Sequence, residues 1–471
     1  MREFVEHVHF VGIGGAGMSG IAEVLLDLGY RVSGSDFSRS RITQRLARAG
    51  AELHYRHHSD NLGNADVVVY SAAIDRGNPE LEAARLRKIP VVSRAEMLGE
   101  VMRFKKGIAI TGTHGKTTTT SLVSTLLINA GTDPTFIVGG VINSTNTNSR
   151  LGAGEYLVAE ADESDASFLH LQPLIAVVTN IDRDHMETYQ GKVENLEQAY
   201  VDFLHNLPFY GLAILCIDDP GVQRILHCLN RSCVTYGFSD AADFKASRFS
   251  QAGRASTFQV SRSGQPIGEF KLALPGCHNV LNALAVIATG FSLGVSTDVI
   301  RSALSEFEGI SRRFEALGEI RLADHTVELV DDYAHHPSEI AATLRAARDC
   351  WPQRRLVVVF QPHRYSRTRD LFDDFVQILT SVPVLAITEV YAAGEEPIAG
   401  FGGKALSDAI RKEAETLEFA ETFDDLNSIL PKMTRQDDVL ITMGAGSIGQ
   451  FAAELSAGQA MKNSNPEQAC V

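Results

Sequence analysis

The segment from Ile108 to Thr120 reads IAITGTHGKTTTT and carries the clearest structural signal in the chain. An apolar, β-branched run leads into a glycine loop that ends in Gly-Lys-Thr, and a helical pattern follows. This order predicts a buried strand, a loop and a helix whose N-terminal N–H groups point at phosphate groups. Ile110 stands where the usual phosphate-loop pattern has its first glycine. A chance Gly-Lys-Thr at a helix start is the alternative, but the flanking strand and helix favour binding of a nucleoside triphosphate.

Two side chains of this loop have specific expected partners. Lys116 would reach the β- and γ-phosphates, and the Thr117 hydroxyl would bind Mg²⁺. The other residues of the loop that we expect to contact the nucleotide are Gly112, Thr113, His114, Gly115 and Thr118.

Similar apolar runs recur along the chain, and a helical pattern follows each of them. Strands that alternate with helices imply βαβ units and mostly parallel sheets, so the sequence predicts an α/β protein. The runs are Val8–Ile13, Asp66–Tyr70, Ile108–Thr111, Leu174–Thr179, Val327–Val330, Leu356–Phe360, Val384–Ile387 and Val439–Met443.

The pattern restarts twice, which divides the 471 residues into three predicted domains. We expect them at residues 1–105, 106–313 and 314–457, with an unstructured tail over 458–471. In the second domain, alternating strands around turns such as Ser263-Gly264 predict an antiparallel insert from about Cys233 to Leu274.

Composition and charge exclude several classes of protein. Apolar residues make up 44% and charged residues 21%, which is typical of a soluble globular protein. The net charge of −15 argues against a general affinity for nucleic acid or anionic membranes. The chain has no apolar run of membrane-spanning length, and its acidic N-terminus predicts no signal peptide. Its six cysteines include no CxxC pair, so we expect free thiols in a reducing cytoplasm.

A second glycine loop lies near the N-terminus. Residues 8–18 read VHFVGIGGAGM, and Asp36 closes the next predicted strand, which together match a dinucleotide-binding fingerprint. Another Gly-x-Gly-x-x-Gly stands at residues 444–449, where close packing of a helix on a strand is the favoured interpretation. For the first copy the pattern predicts diphosphate binding, and it leaves the identity of the diphosphate open.

Two acid-rich segments follow the glycine–lysine loop. Residues 155–165 read EYLVAEADESD, and residues 179–185 read TNIDRDH. Both follow predicted strands, where α/β proteins bind ligands, and carboxylates there suit Mg²⁺. Solvated loops are the alternative, but the successive strand-end positions favour a metal site.

The last third of the chain contains two further polar segments after strands. Residues 330–337 read VDDYAHHP, and residues 363–369 read HRYSRTR. Three arginines and a histidine within seven residues of an acidic protein suggest a carboxylate or phosphate ligand, because a guanidinium binds such groups bidentately. A basic surface loop is the alternative.

These motifs, taken in order, resemble the Mur ligase family over nearly all 471 residues. The resemblance is carried by GTHGKT (112–117), EADESDASF (160–168), Asp184-His185, His278-Asn279, RRF (312–314), DDYAHHP (331–337) and HRYSRTR (363–369). HRYSRTR is the part that distinguishes among family members.

The resemblance implies a Rossmann-like domain for a UDP-sugar, a central ATPase domain and a C-terminal Rossmann-like domain for the amino acid. The first glycine loop would then hold the UDP diphosphate and not NAD. The implied reaction joins L-alanine to the lactyl carboxylate of UDP-N-acetylmuramate through an acyl phosphate, with ATP and Mg²⁺, in cytoplasmic peptidoglycan precursor synthesis. Neither nucleic acid nor a membrane is an expected partner, and the protein would be a monomer or homodimer.

The resemblance also implies roles for individual residues. Lys116, His185 and His335 would be catalytic, and Thr117, Glu160 and His185 would hold the metal. Asn279, Arg313 and Asp332 would join the glycine–lysine loop in binding ATP. The UDP-sugar would contact Gly14, Gly15, Ala16, Gly17, Met18, Asp36 and Ser71. L-Alanine would contact Tyr333, His335, His363, Arg364 and Arg367.

One departure from the family concerns the metal site. Many Mur ligases carry a carbamylated lysine on the helix after the histidine turn, but residues 194–205 contain no lysine. We therefore expect no carbamate here. Two other function classes remain: a nicotinamide oxidoreductase, which would leave the glycine–lysine loop unexplained, and a nucleotide-regulated binding protein without ligase chemistry.

Overall fold

The computed structural model describes residues 4–71, 74–75, 77–411 and 416–463. The chain divides into two compact units. The first comprises the chain up to Ser250 with Thr257–Ala273 and His278–Glu308, and the second comprises Gln251–Ser256, Leu274–Cys277 and the chain from Gly309 onward.

The first sheet, in the first unit, has five parallel strands in the order β3-β2-β1-β4-β5. Its strands are β1 His7–Val11, β2 Arg31–Ser35, β3 Glu52–His54, β4 Val67–Tyr70 and β5 Val91–Ser93. Its helices are α1 Ala16–Asp27, α2 Arg41–Arg48, α3 Pro79–Leu86 and α4 Arg94–Met102, with a 3₁₀ turn at Ser59–Leu62. Because β1 lies between β2 and β4, the strand order reverses at its carboxyl end, where such sheets bind ligands. The loop that begins at Gly12 lies at this point.

The second sheet has ten strands in the order β15-β14-β13-β12-β11-β10-β6-β9-β7-β8. They are β6 Lys106–Thr111, β7 Thr135–Ile142, β8 Thr147–Arg150, β9 Tyr156–Glu160, β10 Ile175–Val178, β11 Leu212–Cys216, β12 Ser232–Gly237, β13 Phe244–Ala252, β14 Ala255–Arg262 and β15 Gln265–Leu272. The helices are α5 Lys116–Asn129, α6 Val193–His205, α7 Pro220–Leu226, α8 Cys277–Ser292 and α9 Thr297–Ser305, with a 3₁₀ turn at Ser167–His170. The central strand β6 pairs in parallel with β9 and β10.

Helix α5 is buried although it begins with four threonines after Lys116. A strand covered on both faces is apolar throughout, and Ile108 and Ile110 of β6 are fully buried. The helix that follows is buried around most of its circumference. Thr119 Oγ1, Ser121 Oγ and Thr125 Oγ1 are buried there without a hydrogen-bond partner among the described residues, whereas two other hydroxyls bond to carbonyls of the helix itself. Thr120 Oγ1 donates to the Lys116 carbonyl at 2.8 Å, and Ser124 Oγ donates to the Thr120 carbonyl at 2.7 Å.

The third sheet, in the second unit, has six strands in the order β16-β17-β21-β18-β19-β20. They are β16 Glu315–Leu322, β17 His325–Asp332, β18 Leu356–Phe360, β19 Val384–Thr388, β20 Thr416–Ala420 and β21 Val439–Met443. The helices are α10 Pro337–Cys350, α11 Tyr365–Asp370, α12 Phe372–Thr380, α13 Gly403–Ile410, α14 Phe423–Met433 and α15 Ile448–Asn463. Only β16 runs antiparallel to its neighbour, and the other pairs are parallel.

These three sheets confirm the predicted α/β class and correct two details. The predicted insert was wrong at its start, because β12 pairs in parallel with both β11 and β13. Two-residue connections join β13 to β14 and β14 to β15, and so short a connection requires antiparallel neighbours. The unstructured tail was wrong for residues 458–463, because α15 continues to Asn463. Residues 464–471 lie outside the described part.

Two further observations concern the described residues. None of their helices combines the length and the hydropathy that crossing a bilayer requires. Their five cysteines, Cys216, Cys228, Cys233, Cys277 and Cys350, form no disulfide, and Cys470 lies outside the described part.

Packing of α6 in the first unit gives a test of the core. Phe203 is fully buried and stacks on Phe168 with ring centroids 5.0 Å apart, whereas Phe209 is 87% exposed. We expect Phe203→Ala to lower the free energy of unfolding by about 3–5 kcal/mol, because it leaves a cavity. The matched Phe209→Ala should change it by at most about 0.5 kcal/mol. Urea unfolding of both variants checks this, and equal effects would contradict the packing of α6.

Candidate active site

The glycine–lysine loop joins β6 to α5 through two residues that require glycine. Gly112 has φ +132° and Gly115 has φ +82°, which side-chain-bearing residues rarely adopt. A Cβ on Gly112 would also lie 2.0 Å from Thr179 Oγ1. The loop therefore lies directly against the segment that follows β10.

That segment holds the loop in place. Asn180 Oδ1 accepts from the His114 N–H at 2.8 Å, and Asn180 Nδ2 donates to the His114 carbonyl at 2.9 Å. The Asp182 N–H donates to Thr113 Oγ1 at 2.9 Å. The sequence predicts a metal site for residues 179–185, and the structure adds that the first residues of this segment hold the backbone of the phosphate loop. Their place after the strand beside β6 was the signal for this role.

Lys116 is held by the loop and by a buried acid. Its Nζ donates to the carbonyls of Gly112 at 2.7 Å and Thr113 at 3.2 Å, and to both carboxylate oxygens of Glu163 at 2.8 and 2.9 Å. Burial alone would lower the pKa of Lys116, but the carboxylates of Glu163 and Asp162 more than offset it and raise the pKa. Burial raises the pKa of Glu163 to about 7. The sequence placed Glu163 in an acidic cluster without recognising it as the partner of Lys116.

The expected metal ligands follow three adjacent parallel strands. Thr117 comes after β6, Glu160 ends β9, and His185 lies in the loop after β10. Glu160 Oε1 accepts from the Gly139 N–H at 2.6 Å, and the His185 ring lies 3.4 Å from the Asp184 carboxylate. The Thr117 hydroxyl and the Glu160 carboxylate are the hard oxygen ligands that Mg²⁺ prefers, so these two donors fit the ion. The imidazole nitrogen of His185 is a ligand more typical of transition metals.

Asn279 is connected to the same loop through a residue that the sequence analysis missed. Asn279 and Asn282 lie one turn apart at the start of α8, and Asn282 Nδ2 donates to Asn279 Oδ1 at 3.1 Å. A Cβ on Gly115 would lie 2.7 Å from Asn282 Oδ1. The spacing of three residues on one helix face was the available signal.

The N-terminal glycine loop is closed by Asp36. The Gly14 N–H donates to Asp36 Oδ2 at 2.8 Å, and a Cβ on Gly14 would lie 2.6 Å from that oxygen. Ser71 lies beside Gly12. Gly15 is the N-cap of α1, and this helix begins with Ala16 and Gly17. The Met18 side chain is buried in the core, so only its backbone is available to a ligand.

The second Gly-x-Gly-x-x-Gly has a packing role, as the sequence analysis favoured. A Cβ on Gly449 would lie 2.1 Å from Arg312 Nε, and one on Gly446 would lie 2.5 Å from Gln361 Oε1. Arg312 also donates to the Gly444 carbonyl at 2.5 Å. These glycines allow side chains of the same unit to fill the space that a ligand would need.

In the second unit, Asp332 ends β17 and orders the backbone around it. Asp332 Oδ2 accepts from the Phe314 N–H at 2.9 Å, and Oδ1 accepts from the Ala334 N–H at 2.7 Å. Burial raises the pKa of Asp332 to about 6, against the opposing effect of Arg313. The Arg313 guanidinium lies 4.9 Å from the ring centroid of Tyr333, a cation–π contact.

Tyr333, His335, His363 and Arg367 form one cluster beyond the ends of β17 and β18. The His335 ring lies 5.4 Å from Tyr333 and 5.8 Å from His363, and Arg367 Nη1 lies 3.3 Å from His363 Nδ1. Burial lowers the pKa of His335 to about 4 and that of His363 to about 3, and Arg367 adds to both shifts. Both imidazoles are therefore neutral at pH 7.

Arg364 and Arg367 differ in their surroundings. Arg367 is buried, whereas Arg364 is exposed and has φ +70° at the N-cap of α11. The Arg364 charge still lowers the pKa of His363. The cluster thus presents a buried guanidinium and neutral imidazoles, which suit the carboxylate and amine of a small amino acid.

Comparison with known proteins agrees with this arrangement. Three family models match consecutive parts of the chain: the Mur ligase family catalytic domain at residues 7–106, the Mur ligase middle domain at 110–290 and the Mur ligase glutamate ligase domain at 312–446. A curated UDP-N-acetylmuramate–L-alanine ligase from Methylococcus capsulatus is 55% identical over 452 residues, which cover 96% of each chain.

Two solved structures have the same fold. The UDP-N-acetylmuramate–alanine ligase of Thermotoga maritima superposes with a TM-score of 0.82 at 30% identity, covering 97% of this chain and 99% of the other. A murein peptide ligase of Psychrobacter arcticus gives a TM-score of 0.71 at 24% identity, covering 99% and 100%. Matched in all three parts by models of one family, and 55% identical to a relative over nearly its whole length, the chain belongs to the Mur ligase family.

Proposed function

We propose that this protein joins L-alanine to the lactyl carboxylate of UDP-N-acetylmuramate and converts ATP to ADP and phosphate. Lys116, held in the glycine loop at the carboxyl end of β6, is the observation that supports an ATP-driven reaction most directly. The relative from Methylococcus capsulatus, which carries the name of this activity, supports the choice of substrates.

In the first step, the lactyl carboxylate attacks the γ-phosphorus in line and forms an acyl phosphate. Negative charge spreads over the equatorial phosphate oxygens, and stabilising it is the main catalytic need. The Lys116 ammonium meets this need once it turns from Glu163 to the phosphate. The pKa of Glu163, raised to about 7 by burial, lets this carboxylate take up a proton near neutral pH when the ammonium leaves it.

Thr117, Glu160 and His185 would hold Mg²⁺, which offsets phosphate charge when bound. Helix α6 contains no lysine that could carry a carbamate, so this chain must complete the site with other ligands. Asn279, Arg313 and Asp332 would contact the adenosine and phosphates of ATP, as the family resemblance implies.

The domain roles follow the three sheets. Residues 1–105 would bind the UDP-sugar through Gly14–Met18, Asp36 and Ser71, residues 106–313 would bind ATP, and residues 314–457 would bind L-alanine. The proposal includes the cytoplasmic location and a monomeric or homodimeric state that we expected from the sequence.

In the second step, the alanine amine attacks the acyl carbonyl and phosphate leaves. The amine must be neutral, so a nearby group has to accept its proton. His335 Nδ1 lies 3.0 Å from the Tyr333 carbonyl, to which it donates as Nδ1–H, and this leaves Nε2 as an acceptor. Glu339, whose carboxylate lies 3.3 Å from His335 Nδ1, raises the pKa of His335, but burial outweighs this effect and keeps the pKa at about 4. His335 is therefore too weak a base to deprotonate the free ammonium of alanine, and its role is to accept the proton that the nitrogen loses as the C–N bond forms.

ADP release with each substrate combination tests the reaction as a whole. We expect release only when UDP-N-acetylmuramate and L-alanine are both present, with the amide product found by mass spectrometry. Glycine, serine and a tripeptide in place of alanine test the specificity. Sustained release of ADP over many turnovers without amide product, with both substrates present, would contradict the proposal.

Lys116→Ala should lower turnover by a few hundredfold or more, because loss of a charge contact to the transition state costs about 3–4 kcal/mol. Lys106→Ala is the control, since that lysine is half exposed at the start of β6 and pairs with Glu155. Circular dichroism checks that both variants fold. Turnover of Lys116→Ala above about one tenth of wild type at saturating ATP would contradict the role of Lys116.

Arg367→Ala should raise the KM for alanine about 10- to 150-fold, the equivalent of one charge-assisted hydrogen bond. Arg364→Ala should also raise the KM for alanine. Lysine at either position should recover little of the lost affinity for alanine, because it lacks the planar guanidinium that binds a carboxylate bidentately. Arg369, exposed and paired with Asp370, provides the control Arg369→Ala. If instead the KM for alanine stayed unchanged and the KM for ATP rose, these arginines would bind the phosphates of ATP and not the amino acid.

The two buried imidazoles should titrate far below an ordinary histidine. Because burial disfavours the charged form, we expect midpoints of about 4 for His335 and about 3 for His363. The neutral rings should contribute fully to the free energy of unfolding above about pH 6.5, the ordinary pKa of a histidine in the unfolded chain. This contribution should be lost as the pH falls toward those midpoints. NMR of the Cε1–H resonances, assigned with His335→Asn and His363→Asn, measures both values. Midpoints near 6.5 would contradict the buried cluster.

A further inference from the structure

Arg94 is the first residue of α4, a helix whose start is stabilised by a capping box. Ser93 Oγ accepts from the Glu96 N–H at 3.2 Å, and Glu96 Oε2 accepts from the Ser93 N–H at 2.6 Å. The Arg94 side chain is only 22% exposed. Neither the sequence motifs nor the proposed reaction gives this residue a role.

One side of the Arg94 side chain lies against the N-terminal glycine loop. A Cβ on Gly17 would lie 3.0 Å from Arg94 Nη1 and 3.1 Å from its Cδ, so the arginine side chain packs closely on this glycine. Gly17 is the second residue of α1, at the end of the helix with partial positive charge. The diphosphate of a UDP-sugar bound at this helix end would lie near the Arg94 guanidinium, whose charge adds to that of the helix N-terminus.

The other side of Arg94 reaches the acidic segment beside the phosphate loop. Arg94 Nη2 donates to Asp162 Oδ2 at 3.0 Å. Asp162 is next to Glu163, which holds Lys116, and two residues from Glu160. The Asp162 carboxylate thus interacts with two cations, Arg94 on one side and Lys116 on the other.

The elements that carry these contacts are packed firmly together within the first unit. Gly20 of α1 lies against β7, where a Cβ would be 3.0 Å from Ile137 Cγ2. Glu23 of α1 accepts from Arg45 Nε at 2.5 Å and from Ser149 Oγ, and β7 pairs in parallel with β9. Helix α1 is thus connected through β7 to the strand that ends at Glu160.

We propose that Arg94 is a positioning residue that couples UDP-sugar binding at the N-terminal glycine loop to nucleotide binding at Lys116. This proposal rests on the proposed function. Both ligands are anionic, and a cation between them offsets their mutual repulsion. With Arg94 in place, each ligand should bind more tightly when the other is present, because coupling between two sites is reciprocal.

Calorimetric titration of the full chain with UDP-N-acetylmuramate, with and without a non-hydrolysable ATP analogue and Mg²⁺, measures this coupling. In the wild type we expect the analogue to tighten UDP-sugar binding by about 5-fold or more. Arg94→Ala should weaken UDP-sugar binding about 10- to 150-fold, as loss of a charge-assisted hydrogen bond does, and reduce the coupling to about 1-fold. Arg94→Lys should recover part of the affinity, since it keeps the charge without the fork.

Two further variants separate coupling from simple binding or unfolding. Asp162→Asn should keep UDP-sugar affinity without nucleotide within about 3-fold and should lose the coupling, because it removes the charge that pairs with Arg94 and leaves the contact of Arg94 with the glycine loop in place. The asparagine side chain keeps an oxygen that can accept from the Ser164 N–H, as Asp162 Oδ1 does at 3.1 Å. Arg103, at the far end of α4 and paired with Glu100 on the surface, gives the control Arg103→Ala, which should match wild type.

The outcomes distinguish this inference from the proposed function. If the wild type neither binds the UDP-sugar nor forms product, the proposed function is wrong. If the wild type is active but Arg94→Ala and Asp162→Asn both retain the full coupling, only the role of Arg94 is overturned. Lost affinity in Arg94→Ala with full coupling in Asp162→Asn would also overturn it, since Arg94 would then only bind the substrate.

Discussion

Parallel pairing of β6 with β9 on one side and β10 on the other brings three distant segments to one edge of the second sheet. The phosphate loop, the acidic segment after Tyr156–Glu160 and the segment after Ile175–Val178 each begin where one of these strands ends. Parallel strands have their carboxyl ends on the same side of the sheet, so the loops that follow these strands lie next to one another. The contacts of Lys116, Glu163 and Asn180 all depend on this arrangement.

Burial of charge is the second constraint on this site. An isolated ammonium under a glycine loop would be strongly disfavoured, so Lys116 needs the Glu163 carboxylate beside it. A nucleoside triphosphate offers the same ammonium another anionic partner. The ion pair thus maintains the lysine in the loop and leaves it available for phosphate, which is consistent with the ATP-driven step we propose.

In the second unit, the cluster of Tyr333, His335, His363 and Arg367 combines one buried charge with neutral imidazoles. His335 and His363 lie close together, and burial beside Arg367 lowers the pKa of both, so they are uncharged at pH 7. A buried guanidinium then provides the fixed positive charge of the cluster, and the imidazoles provide hydrogen-bonding atoms. This division of roles suits an amino acid, whose carboxylate and amine need different partners.

The sequence by itself determined most of the fold and the family. Apolar, β-branched runs are local signals, and the structure has β18 and β21 at the residues that they predict, Leu356–Phe360 and Val439–Met443. The turns that need glycine are local as well, and so both glycine loops were identified. The parallel pairing of β12 and the helical continuation to Asn463 were missed, because pairing direction and helix packing depend on distant neighbours.

The partners of the three acids near the end of β9 were decided only by the tertiary structure. Their run of carboxylates looks like a single cluster in the sequence, yet each acid has a different partner. Glu160 accepts from the amide of Gly139, Asp162 pairs with Arg94, and Glu163 pairs with Lys116. These partners are 21, 68 and 47 residues away along the chain. Strand order and the packing of α1 and α4 place them there, and no local pattern encodes either.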